Sequence, residues 1–362
     1  MSSLSELYPI PVIDKCWTVP QDFNAAFDFD YGAGRNSLMH LYQKGKDMQW
    51  DAVNRIDWDL DLDFENPMQM PDESNALFGS PVWEKMTKDE RRELRRHGQA
   101  WNISQFMQGE QAALVCAAKI VTQVPDLDAK FYASTQTMDE ARHVEAYQKL
   151  LQKFNVAYPM TEPLQQLVDQ ALRDPRWDMT YLAMQVVIEG LALAAFGTIR
   201  DMSQNPLTRM VNAYVMEDEA RHVAFGRLTL RDYYPHLTDA ERDEREEFLV
   251  EACYLMRDRF SARETFEVLG LPVEECVSWV EKSDMMKLFR TMLFQRIVPV
   301  VKDIGLWGPR IQKAYIDMGV MHYADQDLDE LAKQDEKIAA DIDAEQVDAR
   351  TAYVKAVAAL AE

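Results

Sequence analysis

The sequence predicts an all-α fold built on a four-helix bundle. Three observations carry this: apolar positions recur with helical spacing between clear start and stop signals, alternating β-branched runs with turn dipeptides are missing, and one set of acidic and histidine positions recurs at a fixed offset. The 362 residues are 47% hydrophobic and 28% charged, which is enough apolar material to bury a sizeable core and too much for a disordered chain. Glycine shows no period of three, which excludes a fibrous protein. Against 39 Lys+Arg stand 61 Asp+Glu, a formal charge of −22 that repels a phosphate backbone, so nucleic acid is excluded as a partner.

Residues 1–80, rich in proline and aromatics and carrying the acidic stretch Asp57 to Glu65, lack sustained helical periodicity and read as an arm wrapped over the rest. Thr87-Lys-Asp-Glu90 is a capping box that opens the first bundle helix, which runs to about Val121. Val124-Pro125-Asp126 breaks it, and a second helix follows from about Leu127 to Phe154. After a connection containing Pro159 and Pro163, a third, strongly apolar helix spans about Asp178 to Met202. Ser203-Gln-Asn-Pro206 stops it and starts the fourth, with Asn205 as N-cap and Pro206 at the first helical position, running to about Tyr233. Thr238-Asp-Ala-Glu241 is a second capping box for a fifth helix; short helices are expected beyond Val273, and an acidic, alanine-rich helix from about Asp327. The expected division is an arm over 1–85, a bundle over 86–325 and a helical tail over 326–362, the tail lying on the bundle or on a second subunit.

Cys16, Cys116, Cys253 and Cys276 form no C-x-x-C pair and are widely spread, which fits free thiols in a reducing, cytoplasmic setting. The N-terminus lacks the basic and apolar regions of a secretory signal. The most membrane-like stretch, Leu182 to Ile199, is interrupted by Gln185 and Glu189 and reads as a buried bundle helix rather than a span.

The pentapeptide Asp-Glu-Ala-Arg-His occurs at 139–143 and again 79 residues later at 218–222. Glu110 precedes Glu140 by 30 residues, and Glu189 precedes Glu219 by the same number. The midpoints of these pairs, Pro125 and Gln204, fall in the two predicted turns, so the paired glutamates sit level in antiparallel hairpins, each roughly 22 Å from its turn. Within Glu140-x-x-His143 and Glu219-x-x-His222 both side chains share one helix face. Two hairpins packed face to face would thus converge four carboxylates and two imidazoles at mid-height, the arrangement of a dinuclear metal site. Four carboxylates neutralise two divalent cations, and imidazole adds a nitrogen donor suited to iron. The glutamates sit among apolar neighbours, where an unpaired carboxylate is costly. Asp139 with Arg142, and Asp218 with Arg221, are spaced to pair and to orient the histidines from behind.

These residues, Glu110, Asp139 to His143, Glu189 and Asp218 to His222, resemble the ferritin-like superfamily, specifically its carboxylate-bridged diiron oxidases: the hydroxylase component of soluble methane and toluene monooxygenases, acyl-carrier-protein desaturases and the small subunit of class I ribonucleotide reductase. The resemblance covers about residues 87–235. It implies a ferritin-like bundle with two iron ions (Mn/Fe or Mn/Mn as alternatives) that activates O2 to oxidise a small, apolar organic substrate, by hydroxylation, desaturation or similar chemistry. Glu110, Glu140 and His143 would hold one metal and Glu189, Glu219 and His222 the other, with one or two glutamates bridging. Alternative expectations are a radical-generating or ligand-binding oxidase of the reductase small-subunit type, a ferroxidase and, least favoured, a non-catalytic helical scaffold. The first of these draws on Tyr147, four residues after His143, at the position of the radical-forming tyrosine. Two departures stand out: Leu193 replaces the threonine found one turn after the third-helix glutamate in hydroxylases and desaturases, and Val215 replaces an additional histidine ligand of arylamine N-oxygenases, which disfavours that type. An electron-donor protein docking on the acidic surface and a second copy of the chain are the macromolecular partners considered, and a methionine-lined channel beside the metals would suit a lipophilic substrate.

Overall fold

A computed structural model of the chain describes residues 4–10, 17–29, 31 and 34–360. Among them there is no strand. The α-helices in chain order are α1 (Asn36–Asp47), α2 (Pro81–Lys85), α3 (Lys88–Gln123), α4 (Leu127–Phe154), α5 (Glu162–Arg173), α6 (Trp177–Met202) and α7 (Pro206–Tyr233). They continue with α8 (Asp239–Asp258), α9 (Arg263–Val268), α10 (Val273–Lys282), α11 (Asp284–Met292), α12 (Ile297–Asp303), α13 (Pro309–Asp317) and α14 (Leu328–Leu360). The bundle consists of two antiparallel hairpins, α3 with α4 and α6 with α7, packed on each other through α4 and α7.

The local signals act as their chemistry requires. Thr87 accepts from the Glu90 amide while the Glu90 side chain accepts from Thr87, and Thr238 with Glu241 repeats the box at α8. Asn205 accepts from the Thr208 amide with Pro206 at the first helical position of α7. Asp126 caps α4 by accepting from Asp128 and Ala129. Both hairpin turns therefore fall where the sequence placed them.

α6 passes a length and hydropathy test for a membrane span, but 78% of its most apolar window is buried inside the protein. Its middle, Leu182–Ile188, is π-helical, a wider turn that carries Gln185 against α7. Gly226 makes that approach feasible, since a Cβ there would lie 2.4 Å from Gln185 Cβ. The stretch from Glu189 to the turn is regular α-helix, so Glu189 keeps the height that its spacing from Glu219 assigns.

Two expectations are corrected. The arm is not without helix: α1 packs against α4 and α7, its short length and polar ends having hidden the pattern. The connection between α4 and α6 also holds a helix, α5, whose second position is Pro163. The arm clasps the second hairpin turn, where Gln204 and Asn205 amides donate to the carbonyls of Gln69 and Met68 and the Ser203 hydroxyl donates to Met68 at 2.6 Å. The tail helix docks on this chain's own bundle: Arg200 and Arg296 both reach Asp335, at 3.0 and 2.6 Å, and Arg55 reaches Asp343 at 2.8 Å. Cys116, Cys253 and Cys276 are buried free thiols, and Cys16 lies outside the described residues.

Candidate metal centre

The four bundle helices bring Glu110, Glu140, His143, Glu189, Glu219 and His222 together at mid-height, all buried. They form two groups whose potential ligand atoms lie within 4.8 Å of one another: Glu110, Glu140, His143 and Glu219, and Glu140, Glu189, Glu219 and His222. Glu140 and Glu219 belong to both. Each imidazole aims Nδ1 inward. His143 Nδ1 lies 3.2 Å from Glu110, 3.4 Å from Glu140 and 3.0 Å from Glu219, while His222 Nδ1 lies 3.0 Å from Glu140 and 3.4 Å from Glu219.

The opposite ring nitrogens are held crosswise. His143 Nε2 meets Asp218 Oδ2 at 3.0 Å and His222 Nε2 meets Asp139 Oδ2 at 3.3 Å, so each pentapeptide's aspartate orients the other's histidine. Asp139 also pairs with Arg142, and Asp218 with both Arg221 and Arg142, the latter at 2.8 Å. These ion pairs are buried, not surface pairs. The arm completes this layer: Gln49 donates to Asp139 at 2.7 Å and accepts from Arg142 at 2.7 Å, and Trp50 Nε1 donates to Asp218 at 2.8 Å. Gln136, one turn before Glu140, donates to Glu140 at 3.1 Å and to Glu189 at 2.8 Å. None of Gln49, Trp50 and Gln136 carries a sequence signal; only their spacing to the motif, for Gln136, could have drawn attention to it.

Several acceptors at the centre remain unmatched. Glu140 Oε2, Glu189 Oε2, both Glu219 oxygens and His222 Nδ1 are buried without a hydrogen-bond partner. Glu140 Oε2 and Glu219 Oε1 lie 3.4 and 3.0 Å from His143 Nδ1. Unsatisfied buried carboxylate oxygens are costly, and a metal pair is the group that satisfies this donor set. In the metal-free chain, protons share the strain. Burial and the neighbouring Glu219 carboxylate push Glu110 well above the usual carboxylate range, and Glu189 likewise. Burial would depress His143, but hydrogen bonds to Asp218 and the glutamates outweigh it and raise it; Glu140 and Glu219 do the same for His222. Against burial, the two imidazoles hold Glu140 low, and Arg221 and His143 hold Asp218 low.

A small cavity of about 20 Å³ adjoins Glu110, Glu189 and Glu219, walled by Phe106, Ala113, Ile188, Ala192, Phe196 and Arg259. Phe106 also lines a larger, mainly apolar cavity of about 330 Å³ that includes Met202, Met285, Met286 and Met292. Tyr147 is fully buried; its ring packs on Phe106 and Phe196, and its hydroxyl donates to Asn212 at 3.2 Å. Burial and the Glu110 and Glu219 charges raise its pKa.

A family model described as P-aminobenzoate N-oxygenase AurF matches residues 33–305, three quarters of the chain. The chain belongs to this family. It is a non-haem diiron oxidase or oxygenase, and the buried carboxylate and imidazole cluster fits the dinuclear cofactor. The reading of Val215 as a mark against this family is thereby corrected. Val215 is nonetheless a fully buried apolar residue on α7, so AurF membership does not extend to a histidine there. Leu193 is also buried, and the residues of α6 that reach the small cavity are Ile188, Glu189, Ala192 and Phe196.

Among solved structures, the chain is similar to a variant of an R2-like ligand-binding oxidase with an anaerobically reconstituted Mn/Fe cofactor. The TM-score is 0.50 at 17% identity, over 77% of this chain and 96% of that one. A second R2-like ligand-binding oxidase structure, with an aerobically reconstituted metal cofactor after photoconversion, gives a TM-score of 0.49 at 16% identity with the same coverage. At such identity the likeness is one of fold, here the ferritin-like all-helical fold. The comparison with curated protein sequences gave no match.

Proposed function

We propose that the chain oxidises a small, mainly apolar organic substrate with O2 at a dinuclear centre held by Glu110, Glu140, His143, Glu189, Glu219 and His222. The observation that carries this reading is the pair of ligand groups sharing Glu140 and Glu219, of which Glu140 Oε2 and both Glu219 oxygens are buried without a hydrogen-bond partner. Glu140 and Glu219 would bridge, with Glu110 and His143 completing one position and Glu189 and His222 the other. When bound, the metal pair supplies the electrons and Lewis acidity for reductive O2 activation.

The chain's residues set the conditions. Asp218 and Asp139 accept the Nε2 protons of His143 and His222, which leaves Nδ1 of each ring as the donor. Four glutamates balance two divalent cations, and Asp139 and Asp218 balance Arg142 and Arg221 behind them. Phe106, Ile188, Ala192 and Phe196 exclude water beside the centre. The inner cavity has room for about one water, so a substrate enters when the Phe106 ring turns aside and joins it to the 330 Å³ cavity. A second reading, a tyrosyl radical at Tyr147, draws support from its burial within the field of Glu110 and Glu219. It predicts an electron spin resonance signal after O2 exposure that is lost in Tyr147→Phe.

Anaerobic loading with Fe(II) tests the proposal. Two metals per chain and O2 uptake are expected, both lost in Glu140→Ala and Glu219→Ala; less than half a metal per chain overturns it. Metal analysis of protein grown with manganese distinguishes Fe/Fe from Mn/Fe loading.

A further inference from the structure

A continuous line of rings runs from the metal centre to one end of the bundle. Tyr132, two turns before Glu140 on α4, stands edge-on to His222 with 6.5 Å between ring centroids. Phe225 of α7 lies 4.5 Å from Tyr132 and 5.1 Å from Tyr181. At the start of α6, Tyr181 lies 5.5 Å from Trp177, and Trp177 lies 4.6 Å from Tyr233 at the end of α7. Tyr132, Phe225 and Tyr181 are fully buried, whereas Trp177 and Tyr233 are partly exposed, so the line joins the dry centre to water. The cavity side of the centre is built differently. Tyr147 meets Phe106 and Phe196, those two rings meet each other at 4.6 Å, and among the described residues ring contact ends in this triangle.

Tyrosine and tryptophan give up single electrons to a strong oxidant, and tunnelling weakens steeply with distance, so closely spaced rings of these types carry charge in short hops. Phe225 fills the one gap between them. The Tyr132 and Tyr181 hydroxyls are buried without a hydrogen-bond partner. Phenylalanine would fill the same space without an unmatched oxygen, so packing does not account for either phenol. Oxidised tyrosine sheds its phenolic proton, and neither buried ring has a base to receive it, so an electron vacancy does not settle there. Tyr233 differs: it reaches water and lies in the field of Asp178 and Glu241.

We infer that Tyr132, Tyr181, Trp177 and Tyr233 form an exit line for oxidising equivalents, which drains the centre to a reductant at the protein surface when O2 reacts and no organic substrate is present. This role rests on the dinuclear oxidase reading and adds a protective activity to it. Reducing O2 to two waters takes four electrons and four protons. Two electrons come from the ferrous pair as both ions become ferric, and the other two pass inward one at a time along the rings. For each, Tyr233 loses one electron to Trp177 and its phenolic proton to water, leaving a neutral phenoxyl radical. A hydrogen-atom donor such as ascorbate restores the phenol, itself oxidised by one electron.

The test compares wild type, Trp177→Phe and the double variant Tyr132→Phe/Tyr181→Phe, loaded anaerobically with Fe(II), assayed for metal content and exposed to O2 with catalase and no organic substrate. Because neither removed hydroxyl has a partner, the double variant should unfold within about 2 °C of wild type. Without ascorbate, peptide mass spectrometry should locate oxidation products in wild type at Trp177 and Tyr233. In the double variant their yield should fall about tenfold, with products at Tyr147 beside the centre instead, and Trp177→Phe should lose the Tyr233 product. With ascorbate, wild type should stay unmodified while the double variant is still oxidised at Tyr147. Glu140→Ala given the same iron reports oxidation by iron in solution. Yields at Trp177 and Tyr233 equal within about twofold in wild type and the double variant, or in wild type and Glu140→Ala, overturn the inference, as does wild-type oxidation confined to Tyr147. Metal content of the same wild-type samples reports separately on the oxidase reading.

Discussion

Asp218→Asn isolates the contribution of the layer behind the histidines. Asp218 is fully buried and accepts from Arg142 at 2.8 Å, Trp50 Nε1 at 2.8 Å, His143 Nε2 at 3.0 Å and Arg221. All four are donors, and none accepts. An asparagine with its oxygen toward Arg142, Trp50 and His143 turns its amide protons at Arg221, and the local balance of two aspartates against two arginines becomes one against two. Breaking one side of a buried pair costs about 3–5 kcal/mol. Arg221 keeps a bond to the Glu217 carbonyl at 2.9 Å, which puts the expected loss near the lower end, about 3 kcal/mol. That is a large fraction of the roughly 5–15 kcal/mol by which domains are stable. Removing the acceptor of the His143 Nε2 proton also loosens the ring, with an expected 10–100-fold loss of metal affinity, to order of magnitude. Urea denaturation of the metal-free proteins at pH 7 and anaerobic Fe(II) titration measure the two effects. Asp218 is held low, so its stabilisation is present above its unfolded value of 3.8 and lost as pH falls further; the gap between variant and wild type should narrow only in strong acid. A stability loss below about 1 kcal/mol together with unchanged metal affinity would refute this account of the layer.

Metal-free protein should lose stability as pH rises, above about 4.5 through Glu110 and Glu189 and above about 6.5 also through His143 and His222, because all four have raised folded values and give up their protons at that cost. Metal replaces those protons, so the difference in unfolding temperature between loaded and metal-free protein should widen from pH 6 to pH 8, to order of magnitude by several degrees; a constant difference contradicts the proton–metal exchange. Gly226→Ala should destabilise by about 1–2 kcal/mol, the cost of overpacking less a gain in helix propensity. Because its Cβ meets Gln185 Cβ at 2.4 Å, the loss should persist in a Gln185→Ala background. Rescue by Gln185→Ala would show that the clash involves the outer side chain instead.

Much of the fold could be read from residues that act locally. Capping boxes at Thr87 and Thr238, the Asn205–Pro206 start and the Val124–Pro125 stop work through hydrogen bonds within a few residues of themselves, so the chain declares them without knowing its tertiary partners. The helices α1 and α5 escaped for the opposite reason. Short helices owe their stability to the face they bury, and the surfaces covering them are contributed from elsewhere in the chain. The π segment of α6 is likewise a packing event, since its sequence reads as an unbroken apolar helix and the widened turn exists where Gln185 meets Gly226.

Intrachain spacing accounts for the convergence of six side chains. Helical spacing and equal distance from two turns are intrachain geometry, and together they bring Glu110, Glu140, His143, Glu189, Glu219 and His222 to one level. Tertiary structure alone decided how the halves interlock. That each aspartate serves the other pentapeptide's histidine and that Gln49 and Trp50 of the arm close over them depend on contacts between residues about 75 to 170 positions apart. No local periodicity encodes such contacts; they follow from the packing of faces, which becomes defined once the bundle has assembled.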